Sequence, residues 1–358
     1  MAYNKLSTAN LPDPAINPAQ GSSPGDYFNT VLYPGTGADQ PITGIGFKPD
    51  WVWLKQRNAT GSHGLFDSVR GATKRLSSNL TAAEDTAAGV NSFDADGFTL
   101  DALNWNQSGQ TFVSWNWKAG TSFSNGAGEN GATIASSGKV STESGFSIAS
   151  FNSGSAGTQS FKHGLSQVPE IVFLKSRTTS QAWPVWTSLT GNPSTAYGYL
   201  NYSNAFSTDS LQWINAPTST LFTFNSNYAL NQNADCIAYC FHSVEGFSKC
   251  SSYVGNGNAD GPFVYTGFRP AFIIIKAIDG ATTYNWVTWD SERSEYNQAS
   301  KYLLPNTSDA EGDDSTVAID FVSNGFKLRG SWGGYNTSGN NYIYMAFAEN
   351  PFKYSNAR

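Results

Sequence analysis

Charge is scarce in this sequence: Asp, Glu, Lys and Arg make up only 13% of its 358 residues. With a formal net charge of −6 and no cluster of Lys or Arg, the chain lacks what neutralising a phosphate backbone requires, so nucleic acid is not an expected partner. Long apolar runs are missing as well. No stretch approaches the ~20 residues that cross a bilayer, and the opening Met1-Ala-Tyr-Asn-Lys5 has no apolar signal core, so neither membrane insertion nor secretory export is expected. Helix signals are nearly absent; Thr81-Ala-Ala-Glu84 has the spacing of a capping box and predicts one short helix.

Chemistry-bearing residues are few. Histidine and cysteine number three each. His63, His163 and His242 stand at unmatched positions, away from any Gly-x-Ser-x-Gly elbow, which gives nucleophilic catalysis no support. Cys236 and Cys240, four apart on an expected strand, lie ~13 Å from one another, too far to share a zinc that needs each sulfur at ~2.3 Å. No metal and no cofactor are expected. Asp94-Ala-Asp96-Gly97 reads as a turn. Asp309, Glu311, Asp313 and Asp314 read as a solvated acidic loop, with calcium as the sharper alternative. Six Asn-x-Ser/Thr triplets (Asn58, Asn79, Asn106, Asn201, Asn306, Asn336) are expected by chance in a chain this rich in Asn, Ser and Thr.

What the sequence has in abundance is aromatics, at 14%, set among Gly, Asn, Ser and Thr, the composition of strands and tight turns. It also repeats itself three times. Gly46-Phe-Lys-Pro49-Asp-Trp-Val-Trp-Leu-Lys55 matches Gly164-Leu-Ser-Gln-Val-Pro169-Glu-Ile-Val-Phe-Leu-Lys175 and Gly267-Phe-Arg-Pro270-Ala-Phe-Ile-Ile-Ile-Lys276. Leu65-Phe-Asp-Ser68, Val185-Trp-Thr-Ser188 and Thr288-Trp-Asp-Ser291 follow, then Leu76, Leu200 and Leu303. Each copy closes on an alternating strand: Val113, Trp115, Trp117; Ile237, Tyr239, Phe241; or Ile343, Met345, Phe347.

Pro suits the first residue of a strand, and four apolar residues in a row predict a strand buried on both faces. The terminal Lys is expected to return the chain to water. The fold class that follows is all-β: three tandem β-sandwich (jelly-roll) units with an extended N-terminal arm. The expected boundaries are an arm over 1–25, unit 1 over 26–120, a Gly/Ser-rich linker over 121–144, unit 2 over 145–244 and unit 3 over 245–358. Pro12, Pro14, Pro18 and Pro24 hold the arm extended, and Tyr3, Leu6, Leu11 and Ile16 are its candidate anchors. An aromatic in a polar loop precedes each closing strand, at Trp105, Tyr228 and Trp332 with Tyr335. Two readings stand: a sugar-binding platform, or a lid packed over the sandwich end.

The wording itself is recognisable. Ala238-Tyr-Cys-Phe-His-Ser-Val-Glu-Gly-Phe-Ser-Lys249, Gly261-Pro-Phe-Val-Tyr-Thr-Gly-Phe-Arg-Pro-Ala-Phe272, Tyr342-Ile-Tyr-Met-Ala-Phe-Ala-Glu-Asn-Pro-Phe-Lys353 and Leu65-Phe-Asp-Ser-Val-Arg-Gly-Ala-Thr-Lys-Arg-Leu-Ser-Ser-Asn79 resemble repeated-domain virion proteins of tailed bacteriophages, many of them marine. The resemblance covers nearly the whole chain beyond the arm. It implies a lectin-like sandwich fold and a non-enzymatic structural protein of the particle (tail fibre, spike or head decoration) assembled in the host cytoplasm. Other virion proteins, further copies of itself with a trimer favoured, and host-surface glycans are the implied partners. The alternative is a carbohydrate-active depolymerase carried on the particle, which needs a carboxylate pair in an aromatic cleft.

Overall fold

A computed structural model describes residues 11–86, 89–280 and 283–355. The four apolar residues before each repeated lysine form a central strand: Trp51–Gln56 in unit 1, Ile171–Ser176 in unit 2 and Phe268–Ala277 in unit 3. Every central strand is flanked antiparallel by its closing strand (Thr111–Trp117, Asp235–Phe241, Asn341–Pro351). On its other side lies a short flank strand (Gly64–Asp67, Pro184–Thr187, Val287–Asp290). The closing strand also pairs with an opening strand (Phe28–Pro34, Phe146–Asn152, Ser248–Val254). The molecule is all-β, built from antiparallel sheets, with one helix of four residues among those described.

The register carries the repeat. Trp51 faces Trp117, Ile171 faces Phe241 and Phe272 faces Phe347. Pro49 and Pro169 precede their strands by two residues, whereas Pro270 lies within the longer strand of unit 3, where the pairing shifts register. A second, smaller sheet covers one face of each main sheet. It comprises Gln40–Ile42, Gly97–Leu100 and Val90–Asp94 in unit 1, Thr158–Lys162 and Leu221–Asn225 in unit 2, and Phe263–Tyr265, Gly325–Leu328 and Ile319–Val322 in unit 3.

Each main sheet is therefore buried twice. Val52, Leu54 and Phe112 point into the core of unit 1; Val172, Leu174, Cys236 and Cys240 into that of unit 2; Ile273, Ile275, Tyr342 and Tyr344 into that of unit 3. The alternate residues (Trp51, Trp53, Trp115, Trp117, with Ile171, Phe173, Tyr239, Phe241 and Phe272, Ile274, Met345, Phe347) converge on one further core shared by all three units. Trp51 stacks on Tyr239 with centroids 4.5 Å apart, and Phe28 stacks on Phe347 at 5.1 Å. The more apolar face of the closing strand thus meets the neighbouring units rather than its own sandwich.

Two expected segments differ. Residues 121–144, expected as a linker, contain the strands Thr121–Asn125 and Ser136–Ser141, which pair with one another and extend the unit 2 sheet beyond its opening strand. Small Ser and Gly side chains let the strands approach: a Cβ at Gly138 would sit 1.8 Å from the Ile148 carbonyl. Residues 81–84 form no helix; Thr81 and Glu84 instead face unit 2, as described below.

Candidate functional site

The polar groups of this molecule concentrate at the three seams between units, and the arrangement is cyclic. The repeated lysines do not return the chain to water. Lys55, Lys175 and Lys276 are fully buried. Lys55 of unit 1 donates to the Ser308 carbonyl of unit 3, Lys175 of unit 2 to Thr81 of unit 1, and Lys276 of unit 3 to Ser203 of unit 2. Burial pulls Lys276 down to about 7 and Lys55 and Lys175 to about 8. An ammonium has three donors to distribute, and backbone carbonyls of two units receive them.

A ring N–H repeats the pattern. Trp183 donates to the Ser77 carbonyl at 2.9 Å and Trp286 to the Tyr199 carbonyl at 2.9 Å. In unit 1 the position is His63. Its Nδ1 accepts from Trp53, so Nε2 carries the proton and faces the Leu304 carbonyl at 3.1 Å. Burial holds the imidazole neutral, well below its usual range. The backbone N–H of His63 donates to Asn79, that of Trp183 to Asn201 and that of Trp286 to Asn306. Three of the six Asn-x-Ser/Thr triplets are thus a seam element: the Asn caps the neighbouring strand, and the residue two further on presents its carbonyl to the next unit's lysine. Asn106 and Asn336 clasp equivalent loops through Thr36 and Asn256, so these asparagines hold structural positions. The alignment also moves by two residues in unit 2, where Gly198, not Leu200, pairs with Val185 as Leu76 bridges to Leu65.

Two seams add an ion-pair network. Arg177 of unit 2 grips Glu84 of unit 1 through Nε and Nη2, both at 2.9 Å, and Arg57 of unit 1 grips Glu311 of unit 3 in the same way. Behind each glutamate stands a buried Asp–Arg pair, Asp67 with Arg70 and Asp290 with Arg293, which receives Tyr239 or Trp115 from the next closing strand. Glu311 is therefore bonded across a seam rather than solvated. Asp313 accepts from Ser300, and Asp314 caps a short turn. Among the described residues no group of three or more His, Cys, Asp or Glu is placed to hold a metal ion.

The aromatic loop residues part company. Trp105 and Tyr335 are buried: Trp105 donates to the Ser62 carbonyl and Tyr335 to those of Thr316 and Ala318, and both act as lids. Trp332 is half-buried against Tyr284 and Tyr302. Tyr228 is exposed, and the buried counterpart in unit 2 is Leu230, which precedes Asn231 as Trp105 precedes Asn106.

The N-terminal arm, from residue 11, folds onto its own molecule. Ile16 inserts into the shared core, Asp13 meets Lys353 and Tyr354, and Pro14 packs where Gly246 offers no Cβ. Leu11 is exposed at 39%, and Pro18 and Pro24 open short 3₁₀ turns instead of an extended run. Tyr3 and Leu6 lie outside the described residues. Cys236, Cys240 and Cys250 are free and buried, and burial pushes the first two up to about 12.

A family model, described as a domain of unknown function (DUF7483), matches residues 23–351. The chain belongs to this family. No curated protein and no solved structure matches it. The DUF7483 match runs through all three units without interruption, as the shared core does. On the surface of the DUF7483 chain, clefts open along the arm and between units. The one between units 2 and 3 has a volume of about 440 Å³.

Proposed function

We propose that this protein is a non-enzymatic structural component of a bacteriophage particle, displayed on its surface as part of a tail fibre, spike or head decoration, and that it contacts host-surface glycans. One observation supports this reading above the others. Buried lysines, arginines, carboxylates and a neutral histidine are spent on binding one unit to the next, which makes a stiff body rather than a reaction centre. The resemblance of the repeated runs to virion proteins supplies the particle, and a three-fold body within one chain suits a part that projects from it. The partners under this reading are other particle proteins and host polysaccharide.

Immunogold microscopy of intact virions with antibody against this chain tests the reading. Gold confined to one particle structure, at regular copy number, is the expected result. Absence of the chain from purified particles contradicts it. Release of reducing ends from host polysaccharide by the purified protein would favour a depolymerase instead.

A further inference from the structure

The three seams are copies of one another, so each is a control for the others. At two of them a guanidinium and a carboxylate fill the space between units: Arg177 with Glu84, and Arg57 with Glu311. The backbone identifies the counterparts at the third. The N–H of Glu84 donates to the Arg177 carbonyl and that of Glu311 to the Arg57 carbonyl, while the N–H of Phe206 donates to the Ile278 carbonyl. Ile278 thus stands for the arginine and Phe206 for the glutamate. Three residues beyond Asp67 and Asp290 come Arg70 and Arg293, whereas three beyond Thr187 comes Thr190. Every charged group of the network is missing from the seam between units 2 and 3.

The space they leave is open. Thr190, Phe206 and Ile278 all line the cleft of about 440 Å³. Ser252 lines it as well; its counterpart Ser150 is covered by Arg177 in the seam between units 1 and 2. The Thr190 hydroxyl is buried with no hydrogen-bond partner among the described residues, although a buried hydroxyl without a partner costs free energy. Phe206 fills little of the gap, because its ring lies against Gly198 where the other units carry Leu76 and Leu303.

We propose that this cleft is a binding site for a neutral sugar, one or two rings in size. One wall is apolar (Phe206, Ile278, Leu189) and the other carries hydroxyl and amide groups (Thr190, Ser252, Asn192). A sugar ring has the matching halves, a C–H face and a rim of hydroxyls. Among the described residues no Lys or Arg lines the cleft to attract an anion. Its one carboxylate, Asp279, is engaged by the backbone and side-chain N–H groups of Asn341 at 2.8 and 2.6 Å. The volume falls within the ~300–1,000 Å³ of ligand sites.

The proposal rests on the glycan-contacting part of the function above and names its site. Saturation-transfer NMR on the full chain, titrated with glucose, galactose, mannose, rhamnose and N-acetylglucosamine, tests it. Saturable binding of at least one of these is expected. Phe206→Glu with Ile278→Arg rebuilds the ion pair of the other seams and should abolish it. Thr190→Val, nearly isosteric, should weaken it about fivefold, the worth of one hydrogen bond, with a melting temperature no lower than that of the native protein, since the variant buries no unpartnered hydroxyl. Should the double variant fail to fold, the Thr190→Val titration decides. Failure of all five sugars to bind overturns the proposal, as does binding that the folded variants leave unchanged. Either failure leaves the particle assignment to immunogold labelling, which does not depend on the cleft.

Discussion

Lys55, Lys175 and Lys276 show how a residue can mislead when read alone. A lysine after four apolar residues looks like a return to solvent, and in an isolated sandwich it would be one. Here each is fully buried because another unit covers the strand end, and each ammonium is held by carbonyls. Three recurrences at the same spacing were visible in the sequence, as were Asn79, Asn201 and Asn306, but their partners belong to other units and cannot be read from spacing. A consequence follows for pH. Unfolded lysine titrates near ~10.4, while burial brings these down to about 7 or 8. Between those values the unfolded chain binds more protons, so their contribution to stability rises as pH increases. Melting temperatures of the native protein and of Lys276→Met, compared from about pH 6.5 to 8.5, should show a smaller rise in the variant. The comparison cancels the opposing contribution of the cysteines, which the two proteins share. Equal slopes would mean that the buried ammonium does not titrate in this range.

Strand existence was legible at the scale of elements; strand environment was only half so. The continuous apolar runs at Trp51, Ile171 and Phe272 predict burial on both faces, and both faces are buried. The alternation at Trp115, Tyr239 and Met345 marks an inward face correctly, but nothing local says whether inward means the unit's own sandwich or the neighbours. Residues 121–144 misled for a related reason. Gly and Ser composition suits a linker, yet it also suits a strand pressed against another backbone. The candidate aromatics were legible as a recurring position, and burial of Trp105 and Tyr335 fits the lid reading there; the cleft at Thr190 had no sequence signal beyond its missing charges.

The Asp–Arg pairs are the element on which two seams turn. Asp290→Ala strands Arg293 without its buried partner and should cost ~3–5 kcal/mol. Replacing both, by Asp290→Thr with Arg293→Thr, copies Thr187 and Thr190 of the third seam and should cost less than the single change. Urea midpoints of the two proteins check this. A double variant at least as destabilised as Asp290→Ala would mean that the stranded arginine is not the source of the cost.

The whole molecule is a ring of three sandwiches closed on one aromatic core, with Ile16 of the arm inserted into that core. A tandem array of units joined by a linker, as the repeat alone suggests, would let each unit fold and melt by itself. A shared core forbids that, because removing any unit exposes Trp51, Phe241 or Phe347 to water. Scanning calorimetry of the full chain tests this most directly. One transition is expected, with a calorimetric enthalpy of roughly 250 kcal/mol at ~0.7 kcal/mol per residue and a van't Hoff enthalpy that equals it. Three resolved transitions, or a van't Hoff enthalpy near one third of the calorimetric value, would contradict a common core and return the molecule to three independent domains.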